Sequence, residues 1–240
     1  MKWLFALLLL CSSLAAIAAP LRFGFGTHKP PYVFEGEPRG VEFEIVTAAA
    51  IKAGLTIEVL YAPMERLHLL LRRGDIDAIA TTNENSGVKG FYSDPYIYYQ
   101  NVAVALRARH FKIERIADLS HYSLSAFQRA RYLLGHEYEQ VVEHHPHYRE
   151  EANQIARNRL LYSGRVDVVI GDMRIFRYFN QEVGDQVDTD QPLTIYPLFP
   201  PTPYCMGFLS EPLRDQFDLG LAALRASGEY DAIARRYASY

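Results

Sequence analysis

Residues 55–82 read LTIEVLYAPMERLHLLLRRGDIDAIATT, and the spacing of their apolar positions changes twice. From Leu55 to Ala62, residues Ile57, Val59 and Tyr61 alternate onto one face, the pattern of a strand covered on one side. From Met64 to Arg73, Leu67, Leu70 and Leu71 recur at helical spacing, and Gly74 offers the left-handed residue at which many helices stop. Asp77 to Thr82 then returns to extended chain. Strand, helix and strand joined by connections this short predict a βαβ unit, with two parallel strands and the helix lying across one face.

The same alternation extends upstream. Leu21 to Gly26 reads as a strand that runs into a proline-rich loop, His28 to Pro31. Glu42 to Ala53 places Phe43, Val46, Ala50 and Ile51 at helical spacing and ends at Gly54. A β-α-β-α-β succession is therefore expected over 21–82, forming a parallel sheet covered by helices. A second succession begins near residue 101. Strands are expected over Val102–Leu106, Ser123–Phe127, Val166–Gly171 and Leu193–Leu198, and helices over Tyr132–Glu143, Glu151–Tyr162 and Met173–Glu182. Pro200, Pro201 and Pro203 interrupt the pattern before Cys205–Leu209 runs extended. Helices over Pro212–Ala226 and Glu229–Tyr237 finish the chain. The predicted fold class is α/β with two lobes: 20–100 plus 212–240 in the first and 101–211 in the second. The chain is expected to cross near Tyr99-Gln100 and again near Phe208.

The first residues point to export. Lys2 precedes an apolar run from Trp3 to Leu10, and small residues follow to Ala16-Ile17-Ala18-Ala19-Pro20. A basic start, a short apolar core and an Ala-x-Ala site predict a cleaved signal peptide over 1–19 and a periplasmic destination. The apolar run is too short for a permanent span, which needs about 20 residues. Four leucines, Leu7 to Leu10, stand before Cys11, where a lipoprotein signal wants a small residue, so lipidation is not expected. Loss of that segment leaves Cys205 as the one cysteine, which excludes an intramolecular disulfide and reads as a buried small hydrophobe. The net charge of −3 becomes −4 when Lys2 is removed (−3 − 1), which argues against nucleic acid as a partner.

Seven segments together resemble a known family. They are 30–35 (PPYVFE), 40–45 (GVEFEI), 74–79 (GDIDAI), 92–96 (YSDPY), 116–119 (IADL), 164–169 (GRVDVV) and 228–230 (GEY). In this order the chain is similar to the periplasmic solute-binding proteins of family 3, the amino-acid-binding branch of the type 2 fold. The resemblance implies a Venus-flytrap mechanism. A small solute enters an interlobe cleft, two crossover strands bend, and the lobes close around it. It also implies a monomer without cofactor that serves an ABC permease or, in some relatives, a membrane sensor.

Site residues follow from position and from the resemblance. Asp172 ends the Val166–Gly171 strand at its carboxyl edge, where ligands of open α/β sheets sit. The resemblance implies that it takes a ligand ammonium; the alternative is that it caps the helix starting at Met173. Amino-acid binders place a carboxylate-gripping arginine a few residues beyond the segment equivalent to Asp77-Ala78-Ile79. Here 80–90 read ATTNENSGVKG, without arginine. Counting forward puts Lys89 at that place and counting back puts Ser86 there; a lysine neutralises an anion but lacks the bidentate fork. Thr81 and Thr82 end a strand and offer hydroxyls, and Tyr32 and Tyr61 offer rings for stacking. Arg66 stands in a first helical turn, either paired with Glu65 or Asp77 or facing an anion. Gln128 and Arg129 follow a second-lobe strand where the family places donors for a ligand carboxylate. Histidines 144, 145 and 147 read as a surface loop rather than a metal centre, because Pro146 interrupts them. A dehydratase-like enzyme on the same fold would draw on Glu84 or Asp172 as its acid or base. No nucleophile motif is present, and binding without catalysis is the expectation.

Overall fold

The computed structural model describes residues 19–240, so the expected leader, Cys11 included, falls outside the described residues except for Ala19. In the first lobe β1 (Leu21–Phe25), α1 (Val41–Lys52), β2 (Ile57–Tyr61), α2 (Met64–Arg73) and β3 (Ala78–Thr82) follow one another, then the short strands β4 (Phe91–Tyr92) and β5 (Ile97–Tyr99). The second lobe holds β6 (Asn101–Leu106), β7 (Leu124–Phe127), α3 (Ala130–Leu133), α4 (His136–Val142), β8 (Tyr148–Glu151), α5 (Ile155–Tyr162), β9 (Val168–Asp172), α6 (Met173–Val183) and β10 (Leu193–Tyr196). The chain then supplies β11 (Thr202–Phe208), α7 (Glu211–Ala226) and α8 (Glu229–Arg236).

Two sheets result. The first has the order β2-β1-β3-β11-β4, with β5 also pairing β11; the second has the order β10-β6-β9-β7-β8. As the quoted stretch requires, β2 and β3 both run parallel to β1. Gly74 closes α2 in the left-handed conformation, φ 74°, donating its N–H to the Leu71 carbonyl. Opposite α2, helix α7 packs on α1 at very short range: a methyl group on Gly220 would lie 2.2 Å from the Ala49 carbonyl oxygen. Phe23, Phe208 and Phe217 fill the space beneath, with ring centroids 5.5–6.4 Å apart.

Three expectations are displaced. First, β11 pairs β3, β4 and β5 and so belongs with the first sheet. The return crossing therefore falls over 197–201, ahead of Thr202, and not near Phe208; the prolines mask a strand because proline tolerates extended backbone while supplying no N–H. Second, the helix expected over Tyr132–Glu143 is two helices, divided at Gly135, whose φ of 96° no right-handed helix accepts. Third, Tyr148–Glu151 is an edge strand parallel to β7, and its helix begins only at Ile155. Its run of polar residues lacks the apolar alternation that marks a covered strand.

Candidate functional site

Both sheets send strand ends to the seam between the lobes. β1 leaves through Gly26 and Thr27, β3 ends at Thr81-Thr82, β7 leads to Gln128, and β9 ends at Asp172. The crossing strands contribute Tyr99, Asn101 and Tyr204. Among these segments lies a small cavity of about 40 Å³, walled by Thr27, Lys29 and Thr81 on one side and by Phe127, Gln128 and Gln154 on the other. A wider open groove of about 620 Å³ runs along the hinge from Asn83 to Pro201, with Cys205 in its lining. Burial pushes the Cys205 thiol up to about 12, so it remains protonated and unreactive.

The floor of the cavity is built on a buried ion pair. Glu42 stands in the first turn of α1, and its carboxylate is out of contact with water. Oε2 accepts from the Lys29 ammonium and from Tyr99 OH (2.6 Å). Oε1 accepts from the hydroxyls of Thr81 and Tyr96. The Lys29 ammonium donates in turn to Glu42, to Thr81 Oγ1 and to Tyr99 OH (3.2 Å). Four acceptor positions and three donors are thereby satisfied, the condition under which a charge survives burial. Burial alone would raise the Glu42 pKa, but the ammonium and the hydroxyls outweigh it and hold the carboxyl below its ordinary range. Burial also draws the Lys29 pKa down, against the pull of Glu42. Thr81 reaches this network with φ 57°, a left-handed conformation costly for a β-branched residue, and its N–H donates to Tyr96 OH at 2.8 Å.

Asp172 lies across the seam and is likewise buried. Oδ1 accepts from the N–H groups of Arg174 (2.9 Å) and Ile175 (3.1 Å), which caps α6. Oδ2 accepts from Gln100 N (2.9 Å) and, across the lobes, from Tyr32 OH (3.0 Å). The capping alternative is thus the one the geometry makes, with an interlobe bond added to it. Burial raises the Asp172 pKa, and these hydrogen bonds offset part of that rise. The Tyr32 ring stacks on Tyr99 within the first lobe, centroids 3.8 Å apart, while its hydroxyl makes the interlobe bond, so the ring is not an open platform.

Arg129, φ 68°, makes the second crossing contact. Its Nη1 donates to both Glu65 oxygens at 3.0 Å, and its Nη2 donates to the Ser86 carbonyl. Gln128 Oε1 accepts from Glu65 N at 3.4 Å beside it. The remaining sequence candidates stand apart from the cavity. Thr82 is buried against His68, Tyr61 packs on Phe25, and the Ser86 hydroxyl meets Tyr92 OH. Lys89 is exposed. Arg66 is also exposed, on a surface shared with Glu58 and Asp75, and among the described residues it pairs with neither Glu65 nor Asp77. No cluster of three or more metal-binding side chains occurs among the described residues. Lys29 and Glu42 were missed, because a lysine in a proline-rich loop and a glutamate in a first helical turn both read as solvated. The available signal was that Glu42 interrupts the otherwise apolar positions Val41, Phe43, Ile45 and Val46, all of them buried.

Two lobes, two crossing strands and a cavity closed from both sides are the architecture of the type 2 binding-protein fold. A family model described as bacterial extracellular solute-binding proteins, family 3, matches residues 21–240. The chain belongs to that family. Among solved structures, the arginine-, lysine-, histidine-binding protein ArtJ of Geobacillus stearothermophilus superposes with a TM-score of 0.75 at 18% identity, covering 92% of this chain and 96% of its own. A histidine kinase sensor domain similar to periplasmic binding proteins superposes with a TM-score of 0.75 at 20% identity, covering 91% and 95%. The ancestral amino-acid-binding protein AncCDT-1, described as a precursor of cyclohexadienyl dehydratase, gives 0.68 at 19%, covering 91% and 95%. At these identities the likeness is one of fold. No curated protein sequence matches the chain. No helix among the described residues is long and apolar enough to cross a membrane.

Proposed function

We propose that this family 3 solute-binding protein captures a small polar solute between its lobes, at the seam that this cavity marks, outside the cytoplasm. Its closed form is then offered to a membrane partner, an ABC permease in the simplest arrangement. The observation that carries this reading is the cavity itself: first-lobe, second-lobe and crossing-strand residues each supply part of one enclosed wall. A solute held there bridges the lobes and adds its own contacts to the Tyr32–Asp172 and Arg129–Glu65 links. Thr81 and Gln128 are the polar candidates that reach the cavity from opposite lobes. Binding without chemistry accounts for this wall. Glu84 lies outside it in an exposed turn, and both Asp172 oxygens are held by internal donors.

Thermal unfolding of residues 20–240 against a panel of amino acids, amides, amines and sugars tests the proposal, with small-angle scattering on each stabilising solute. A solute at 100 times its Kd should stabilise by about 2.7 kcal/mol and reduce the radius of gyration. A stabilising solute that leaves scattering unchanged and still binds after Thr81 and Gln128 are replaced by alanine would place the site elsewhere.

A further inference from the structure

We propose that Lys29 is a built-in occupant of a cation-binding cage in the cleft wall, and that it restricts the cleft to uncharged solutes. This rests on the solute-binding reading above and names the class of solute.

The cage is assembled from three separate segments. Glu42 of α1 gives the carboxylate, Thr81 at the end of β3 a hydroxyl, and Tyr99 of β5 both a hydroxyl and a ring, whose centroid lies 5.4 Å from the Lys29 ammonium. An anion and two neutral oxygens form a receptor for an ammonium group, with the Tyr99 ring flanking it at its hydroxyl end. Its guest here belongs to the chain. Lys29 enters from the proline-rich loop and is 3% exposed; its stem runs past Gly26, where a methyl group would meet Cε in ordinary van der Waals contact at 3.5 Å. Gly26, Lys29, Thr81 and Tyr99 all line the cavity, so stem and cage form part of the wall that a solute meets.

A free amine entering the cavity finds the cage filled and an ammonium beside it. A free carboxylate fares no better. All three Lys29 donors are committed, and Arg129 is held by Glu65 and the Ser86 carbonyl. Glu151 is the other ionisable acid or base on the wall apart from the tyrosines, and Arg149 pairs with it at 3.0 Å. What remains is neutral. Gln128 and Gln154 accept through Oε1 from Glu65 N and Arg157, while their amide NH2 groups make no hydrogen bond among the described residues. Two amide donors over a surface of Phe127, Ile175 and Tyr204 suit a compact solute with a carbonyl or hydroxyl oxygen and one apolar face.

The test is chemical rescue. Lys29→Ala removes three carbons and the ammonium, which n-propylammonium chloride replaces. The variant should melt below wild type and recover by about 3 °C or more, saturably, with n-propylammonium. Neither n-propanol nor sodium chloride at equal ionic strength should do this, and wild type should not respond. If the variant is unfolded alone, the same titration reads recovery of its circular dichroism. Rescue by propanol or salt as well as by the ammonium overturns the cage.

Wild type is titrated in parallel with free α-amino acids and with their N-acetyl amides. Stronger stabilisation by the free amino acids overturns the restriction while leaving the solute-binding reading intact, whatever the variant does. Stabilisation by the blocked amides, with lobe closure in scattering, supports both. Selective rescue of the variant, with wild type silent to both solute classes and no closure, overturns the solute-binding reading and the restriction with it.

Discussion

His68 gives the protein a stability that depends on pH well above the carboxylate range. It sits on the inner face of α2 and is 1% exposed. Its Nδ1 lies 2.8 Å from the Met64 carbonyl, which makes that nitrogen the donor and leaves Nε2 to accept from Thr82 Oγ1 at 3.2 Å. Burial, assisted by the nearby guanidinium groups of Arg129 and Arg72, lowers its pKa from the ordinary 6.5 to about 4. The unfolded chain takes up this proton near pH 6.5 and the folded chain only near 4. Between those values the unfolded state binds more protons, so stability falls as pH falls; the contribution is complete above 6.5 and exhausted below 4. The full displacement corresponds to about 3 kcal/mol, and the part lost between pH 7.5 and 5 to about 2 kcal/mol. For a chain of this length that is a fall in Tm of roughly 4–8 °C. Glu42, with its lowered pKa, loses stabilisation as pH falls through the carboxylate range, and Asp172, with its raised pKa, works in the opposite sense. The quantity to measure is therefore the difference in urea unfolding free energy between wild type and His68→Gln at pH 7.5 and at pH 5. The difference should shrink by about 2 kcal/mol on acidification. An unchanged difference, or a proton NMR titration placing His68 above pH 6, would refute the argument.

Other substitutions test other parts of the frame. Arg129→Ala removes the bridge to Glu65 and Ser86; because Glu65 is half exposed the loss of stability should be only about 1 kcal/mol, but scattering should show wider lobe separation, and an unchanged radius would deny the bridge a role in closure. Gly220→Ala drives a methyl group into the Ala49 carbonyl and should cost about 1–3 kcal/mol in denaturant unfolding; a wild-type midpoint would contradict the α1–α7 packing. Asp172→Ala removes the α6 cap and strands the buried Tyr32 hydroxyl, for a loss of about 2–4 kcal/mol in the same assay, whereas a loss near zero would mean that water replaces both partners.

The first lobe was legible from β1 to β3, where each element repeats at the period of one geometry, whereas the short strands β4 and β5 carry no such repeat. Ile57, Val59 and Tyr61 alternate, Leu67 and Leu71 recur at helical spacing, and Gly54 and Gly74 both take positive φ where the helices stop. Legibility failed where burial is one-sided or the breaker is misleading. Strand β8 is a polar edge that reaches the core only through Tyr148, so its Arg149-Glu150-Glu151 carries no period. Its function is to hold β7 and to aim Glu150, whose carboxylate accepts from Arg129 N and from Arg131 N (3.0 Å). Strand β11 was cut short because Pro203 reads as punctuation, although it stands opposite Tyr98 in the sheet. Seven of the ten site candidates lie on the seam or directly behind it, since strand ends are predictable even when side-chain partners are not. Tyr61 and Arg66 were placed by their strand and helix positions and Lys89 by motif counting, and none of the three lines the cavity.

The arginine missing from 80–90 shows why partners are the part that spacing cannot supply. Motif counting proposed Ser86 or Lys89 in its stead, on the assumption that the cation must come from the same segment. In three dimensions Lys89 is exposed, whereas a guanidinium does reach Ser86, supplied by Arg129 from the opposite lobe and anchored by Glu65. A cation brought across the seam has a different consequence from one rooted in the first lobe. It bridges the lobes in this structure, its Nη groups engaged by Glu65 and the Ser86 carbonyl. Lys29, on the wall of the cavity, has its charge met within its own lobe, by Glu42. Lys29 and Arg129 are thus both engaged by carboxylates of the protein itself. On the uncharged-solute proposal, recognition runs through hydroxyl, amide and aromatic contacts, and a salt titration of solute binding should be nearly flat. A Kd that rises tenfold between 50 mM and 500 mM sodium chloride would show that one of these ion pairs opens to take the ligand.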